Sequence, residues 1–225
     1  SIGQGMSEAL QHTTEKTQVF LLGPAEIRYQ GGSIHIERRL PRSLFYYLAA
    51  HHGPVGREEL LRVFWNEGDG SQIRARLSET LWRIRSHLPN PAILSSDNEM
   101  VWLDRAQVYV DLEHYSRLRL ALGNKPWQVP PDQPLSHGLY EQMDAAVRLW
   151  RAPVFLSGVK LTSTPVLDEW LSRTTQRLEI AQLQLLRRLA QHAHLINDIQ
   201  LTCEYATAAL EFEPLDIELV REYIT

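Results

Sequence analysis

Residues 71 to 88, SQIRARLSETLWRIRSHL, carry an apolar side chain at every third or fourth position: Ile73, Leu77, Leu81, Ile84 and Leu88. At ~100° per residue these fall on one face of a helix, and that face needs a core to bury it. Gln72, Arg76, Glu79 and Arg83 fall on nearly the opposite face, with Thr80 on its edge. Arg74, Ser78 and Arg85 form a flank, and Trp82 projects between the two polar faces.

Upstream the pattern is shorter and strand-like. QVFLLGP (18–24), AEIRYQ (25–30) and SIHIERR (33–39) are rich in Val, Ile and Tyr and are separated by Gly-Pro and Gly-Gly. Such punctuation predicts strands, and the alternation in IHIE predicts a half-buried one. PRSLFYYLAAHHG opens on Pro41 and stops at Gly53, the start and stop signals of a helix. GREELLRVFW places acids in its first turn and Leu60, Leu61, Phe64 and Trp65 in a stripe, which predicts a second, short helix. After the Arg-rich helix, AILSS and MVWLD flank Asp97-Asn98, a turn-forming pair, so residues 92 to 104 read as a β-hairpin.

The predicted order is therefore strands, three helices and a hairpin, the order of a winged helix-turn-helix. In that arrangement the later helix lies in the major groove of DNA. Arg grips guanine with two bonds and Gln does the same to adenine, so Gln72, Arg76, Glu79, Thr80 and Arg83 are the candidate base readers. Glu79 has two other roles open to it: accepting from a cytosine amino group, or pairing with Arg83 at i+4. Arg42, Arg57, Arg62, Arg74, Ser78 and Arg85 are the candidate phosphate ligands, Arg57 first among them because a helix N-terminus favours phosphate. An exposed charged face is on most helices a solvated one. Here its basic residues are arginines, suited to planar bidentate recognition, and the helix stands in the reading position of the motif. The hairpin departs from this pattern. It has no Arg or Lys from Leu94 to Asp104 and carries Asp97 and Glu99, which speaks against minor-groove contact.

Beyond about Leu112 the period is helical throughout. TPVLDEWLSRTTQRLEIAQLQLLRRLAQHAH has Pro165 in its first turn, acids early and arginines late, as a long helix should. IQLTCEYATAALEFEP sets Ala206 and Ala209 on its packing side and Pro214 beyond its end, and LDIELVREYIT begins a third helix. Long helices with alanines at close-packing points and a terminal proline are similar to tetratricopeptide repeats. A repeat needs neighbours to bury its faces, so a pattern that stops in mid-helix at Thr225 implies further chain or an unfinished last repeat.

Composition narrows the function classes. At 225 residues there is room for two domains, and 44% hydrophobic with 22% charged residues is ordinary for a globular chain. The net charge of −4 excludes a globally basic nucleic-acid binder but not a local patch. SIGQG ahead of Met6 reads as a non-native leader, with Met6 as the start. No apolar run reaches the roughly 20 residues that span a bilayer. The single cysteine, Cys203, fits a reducing cytoplasm and is expected in the core. His51-His52 and His192/His194 lack the i, i+4 spacing of metal ligands. A phosphate loop, a Ser-His-Asp pattern and a glycine fingerprint are also absent, so neither metal, cofactor nor enzymatic activity is expected. Five of the tryptophans, Trp65, Trp102, Trp127, Trp150 and Trp170, are expected in packing.

FLLGPAEIRYQGGSIHIERRLPRSLFYYLAAHHGPVGREELLRVFW followed by RARLSETLWRIRSHLP resembles the DNA-binding domain of activators of the Streptomyces antibiotic regulatory protein type. LWRAPVFLSGV, TPVLDEWLSRTTQRLEIAQLQLLRRLA and YATAALEFEPLD resemble the bacterial transcriptional activator domain that follows it in that family. The resemblance covers nearly the whole chain. It implies an α+β winged-helix DNA-binding domain over residues 17–112, an all-α tetratricopeptide-like domain over 113–225, and a flexible N-terminus over 1–16. It further implies a cytoplasmic, sequence-specific transcriptional activator that binds direct repeats in double-stranded DNA and recruits RNA polymerase, with a helical domain that serves self-association as a homodimer on DNA, ligand response or contact with the transcription machinery. Sensing or nucleotide-binding domains often follow in that family. A second reading, motivated by the acidic hairpin and Glu79, is a helical-repeat interaction protein whose winged helix no longer binds DNA.

Overall fold

The structure is a computed structural model that describes residues 16–65, 70–216 and 221. It is mixed α/β, with small sheets in its N-terminal part and helices beyond. Packing divides the chain into two units, one reaching to Glu113 and including Leu156–Ser172, the other His114–Phe155 together with the chain from Arg173. The expected boundary after residue 112 falls beside the first of these divisions, but the sequence reading did not anticipate that residues 156–172 return to the first unit. The expected flexible N-terminus lies outside the described residues except for Lys16. The helix expected from LDIELVREYIT falls largely outside them too.

In the first unit, β1 (Thr17–Phe20), β2 (Glu26–Tyr29) and β3 (Gly32–Ile34) form an antiparallel meander. The β2–β3 turn is Gln30-Gly31, both with positive φ (49° and 80°), as a two-residue hairpin turn requires. A later strand, β7 (Val108–Val110), adds parallel to β1 and gives the order β3-β2-β1-β7. The strand expected over 33–39 ends at Ile34. The carbonyls of Ile36 and Glu37 accept from Arg42 Nη1 at 3.2 and 3.3 Å, and the chain turns into α1 (Arg39–Ala50). α1 is buried from Leu44 to Ala49.

α2 (Arg57–Phe64) follows a two-residue strand, β4 (Val55–Gly56), and precedes α3 (Gly70–His87). Glu58 and Glu59 sit in the first turn of α2, where the helix dipole favours acids. A 3-10 turn (Pro91–Ile93) leads to β5 (Leu94–Ser96) and β6 (Met100–Leu103), which pair antiparallel, and β4 joins them in the order β4-β6-β5. The core beneath the helices gathers Leu60, Val63, Ile73, Leu77, Leu81, Ile84, Leu94 and Val101, each less than a tenth exposed.

Residues 156–172 run across this unit. Leu156 and Ser157 donate backbone N–H groups to the carbonyls of Leu21 and Gly23, and Ala25 donates to Ser157. Thr162 N–H donates to Ser43 Oγ at 2.7 Å, Thr164 Oγ1 to the Val63 carbonyl, and Trp170 stacks on His51. Asp111, at the start of α4 (Asp111–Leu122), is buried and accepts the N–H groups of Leu21 and Leu22 at 2.8 and 3.0 Å.

The second unit is helical: the rest of α4, α5 (Lys125–Gln128), α6 (His137–Val147), α7 (Pro165–Leu195) from Arg173 on, and α8 (Ile199–Phe212). Ala190, Ala193, Ala206 and Ala209 are fully buried, so the helices approach closely at these small residues. The Asp198 carboxylate caps α8 by accepting from Leu201 N–H at 2.9 Å. Tyr115 is buried with its hydroxyl on Gln182 Oε1, and Gln182 in turn donates to the Val147 carbonyl. Among the described residues no helix is long and apolar enough to cross a membrane.

Candidate nucleic-acid interface

α3 buries one stripe, Ile73, Leu77, Leu81, Ile84 and the following Leu88, as the periodicity predicted. Thr80 joins that stripe. It is 5% exposed and its hydroxyl donates to the Arg76 carbonyl at 2.8 Å, which corrects its expected place on the edge of the exposed face. Its Cβ lies within ~60° of the stripe's mean direction at ~100° per residue, so the core, not a base, takes its methyl.

Gln72, Arg76 and Glu79 are exposed and Arg83 is half-exposed. Arg83 donates from Nε and Nη2 to Glu79 Oε1 at 3.0 and 2.6 Å. The i+4 pairing foreseen as one role for Glu79 is thus made. The side chain of Arg76 has no hydrogen-bond or ionic partner among the described residues.

The candidate phosphate ligands divide sharply. Arg62 is exposed in the last turn of α2, and Arg74 is exposed with its Nη2 on Glu58 Oε1 at 3.0 Å. Ser78 is exposed and donates to the Arg74 carbonyl at 3.2 Å. Three others are half-exposed and bonded to other parts of the same unit. Arg85 donates to the Leu94 carbonyl at 2.9 Å and to Ser96 Oγ at 2.8 Å, and burial, followed by the nearby charge of Arg57, lowers its pKa. Arg57 donates from Nε to the Asp97 carbonyl at 2.7 Å, and its backbone N–H donates to the Glu99 carbonyl at 2.7 Å. Arg42 donates to the Lys160 carbonyl as well as to Ile36 and Glu37. Arg57 and Arg85 therefore bind the β5–β6 hairpin to α2 and α3.

The hairpin tip is held by Asp97. Its carboxylate accepts the N–H groups of Glu99 and Met100 at 2.8 and 2.7 Å, and these bonds lower its pKa. Asp97 is thus a turn-forming residue as much as a surface charge.

Sequence reasoning undervalued Trp82 on the α3 face. With Ile73 at zero, Trp82, Ala75 and Ser86 fall at ~180–220°. Arg76 and Arg83 sit to one side, at ~280–300°. Trp82 is 64% exposed. The helical angles alone carried this signal. Cys203, expected in the core, is exposed on α8, because Thr202, Tyr205, Ala206 and Ala209 occupy the buried side there. Trp127 is also half-exposed rather than packed. Among the described residues no group of His, Cys, Asp or Glu has the arrangement of a metal site.

No family model matches the sequence, and no curated protein sequence matches it. Mycobacterium tuberculosis EmbR, solved in complex with a low-affinity phosphopeptide, matches in structure with a TM-score of 0.54 and 17% sequence identity. The match covers 92% of this chain and 65% of that one, so the present chain spans less than two thirds of EmbR's length in that structure. At this identity the likeness is one of fold: the chain has an EmbR-like architecture.

Proposed function

We propose that this chain is a sequence-specific DNA-binding transcriptional activator of the Streptomyces antibiotic regulatory protein type. Its first unit, residues 17–112 with the returning segment 156–172, is read as a winged helix-turn-helix. In this reading α2 and α3 are the helix pair, α3 enters the major groove, and β5–β6 is the wing. The second unit is read as a tetratricopeptide-like module for self-association or contact with RNA polymerase. The single observation that carries the reading is the solvent face of α3. It holds Gln72, Arg76 and Trp82 exposed and Arg83 half-exposed on Glu79, beside a hairpin held to the same helix by Arg85. The EmbR-like fold supports it, since EmbR is a regulator of that type.

Base reading then rests on Gln72, Arg76 and Arg83, with Glu79 setting the direction of Arg83. Phosphate contact rests on Arg62, Arg74 and Ser78, while Arg57 and Arg85 act by holding the wing. The alternative, a protein-interaction module that has lost DNA binding, is favoured by one observation: Glu79 takes both inner donors of Arg83.

Salt separates the two. Binding to duplex DNA should weaken as a straight line in log affinity against log salt, with a slope of about −0.9 per phosphate contact. Absence of binding at low salt would establish the alternative.

A further inference from the structure

Trp82 lies on the α3 solvent face, ~40° from the direction opposite the buried stripe. It is 64% exposed, and its side chain makes no hydrogen bond or ring contact with any described residue. Of its neighbours a turn away, Ser78 and Ser86 are small and exposed, Glu79 is exposed and pairs with Arg83, and Arg85 is turned to the hairpin. An isolated exposed apolar side chain is ordinary on a protein surface. This one shares its helix with the exposed Arg74 and Arg76 and the half-exposed Arg83, with Glu79 the single acid on that helix. A large exposed apolar group on a helix face whose charged side chains are mostly arginines matches a surface that is itself a polyanion with recessed apolar points.

Duplex DNA is such a surface. Its major groove presents the thymine C5-methyl as its one apolar feature, and apolar side chains read thymine through it. We propose, on the reading of the chain as a DNA binder, that Trp82 is a specificity-determining residue that recognises thymine by covering its methyl group in the major groove. Arg83 is the next residue and Arg76 lies nearly two turns before Trp82, both on the neighbouring edge of the face, so Trp82 covers a point close to the base pair that Arg83 contacts and away from that of Arg76. Ala75, two turns before Trp82 on the same line, leaves room for the groove wall to come close to the helix.

The test is a selection of binding sites from a random duplex library by the whole chain, the Trp82→Ala variant and the Trp82→Phe variant, each first checked for a native circular dichroism spectrum. The wild type should enrich a motif with at least one strongly preferred thymine column. Trp82→Ala should lose contrast at that column and keep it elsewhere, and Trp82→Phe should retain part of it. Replacing that thymine by deoxyuridine removes only the methyl. It should weaken wild-type binding about fourfold, the worth of one buried methyl-sized group, and leave Trp82→Ala unaffected. If Trp82→Ala returns the wild-type motif, or if both proteins respond equally to deoxyuridine, the proposal fails while DNA binding stands. If the wild type enriches no motif and binds no duplex at low salt, both readings fall together.

Discussion

α3 and the second-unit part of α7 are both arginine-bearing amphipathic helices, yet their guanidinium groups do opposite things. On α3 Arg76 points into solvent with no described partner, and Arg83 is held only by its helical neighbour Glu79. On α7 Arg188 is 6% exposed and donates to the carbonyls of Pro126 and Gln133 at 3.1 and 3.2 Å and to Gln191 Oε1 at 3.1 Å. Next to it, Arg187 is bonded to Glu213 and Asp216. The difference lies in the surroundings. Around Arg188 the loop before α6 and the short α5 leave carbonyls without intrahelical partners, and a planar five-donor group satisfies several at once. Among the described residues no carbonyl bonds the Arg76 guanidinium, and its donors remain for an external acceptor. Arginines bound inward fix the fold, and arginines left outward are available for recognition.

The largest expected effect tests the inward class. Arg188→Ala should destabilise the protein by about 3 kcal/mol, since several buried acceptors lose a charged donor together. A denaturant titration that found Arg188→Ala within about 0.5 kcal/mol of wild type, the range of ordinary surface changes, would erase the distinction.

Arg76→Ala tests the outward class. Its stability should stay within about 0.5 kcal/mol of wild type, while discrimination at one base position drops by roughly 1–3 kcal/mol. Competition binding on single-base variants of the selected site measures the second quantity, and a thermal melt the first.

Arg85 sharpens the comparison because it sits on α3 but belongs to the inward class. Arg85→Ala should cost about 1–2 kcal/mol of stability, for a half-buried charged donor with two acceptors. It should weaken DNA binding through a loosened hairpin, without changing the salt slope. A fall in slope of about one unit would instead mark Arg85 as a direct phosphate ligand.

The smallest effect concerns His192, one turn beyond Arg188. Its Nδ1 accepts the Leu135 N–H at 3.0 Å, which requires the neutral ring, and burial followed by the charge of Arg188 lowers its pKa below 6.5. The unfolded chain therefore binds more protons than the folded one below about pH 6.5, and stability falls as pH drops from there toward the lowered folded value. His192→Gln keeps an acceptor but does not titrate. Its unfolding free energy should decline less than that of wild type between about pH 7 and pH 5.

Much of the first unit was legible from one-dimensional pattern. Ile73, Leu77, Leu81, Ile84 and Leu88 announced both the helix and its buried face, because a 3.6-residue period leaves one choice of side. Asp97-Asn98 announced the hairpin turn, because an Asx side chain bonds backbone two residues on. Ala206 and Ala209 marked a packing side for the same periodic reason. Thr80 and Cys203 were misplaced where one residue of helical phase decides between core and water. Residues 156–164 gave no signal of returning to the first unit, since a strap held by backbone bonds to Leu21, Gly23 and Ser43 has no side-chain period to read.

The sequence by itself determined α1, α2, α3, α7 and α8 with their apolar stripes, and the β5–β6 turn, because each depends on neighbours within a few residues; β4, β7 and α4 to α6 were not read from it. It also determined that positive charge collects on one helix of an acidic chain. The tertiary structure alone decided what each arginine does. A guanidinium reaches several ångströms from its helix, and its fate depends on which carbonyls or carboxylates the folded chain carries to that point. Leu94, Ser96 and Asp97 claim Arg85 and Arg57, and Lys160 claims Arg42 across more than a hundred residues. Arg76 is left to the solvent because no part of the described chain brings an acceptor to it.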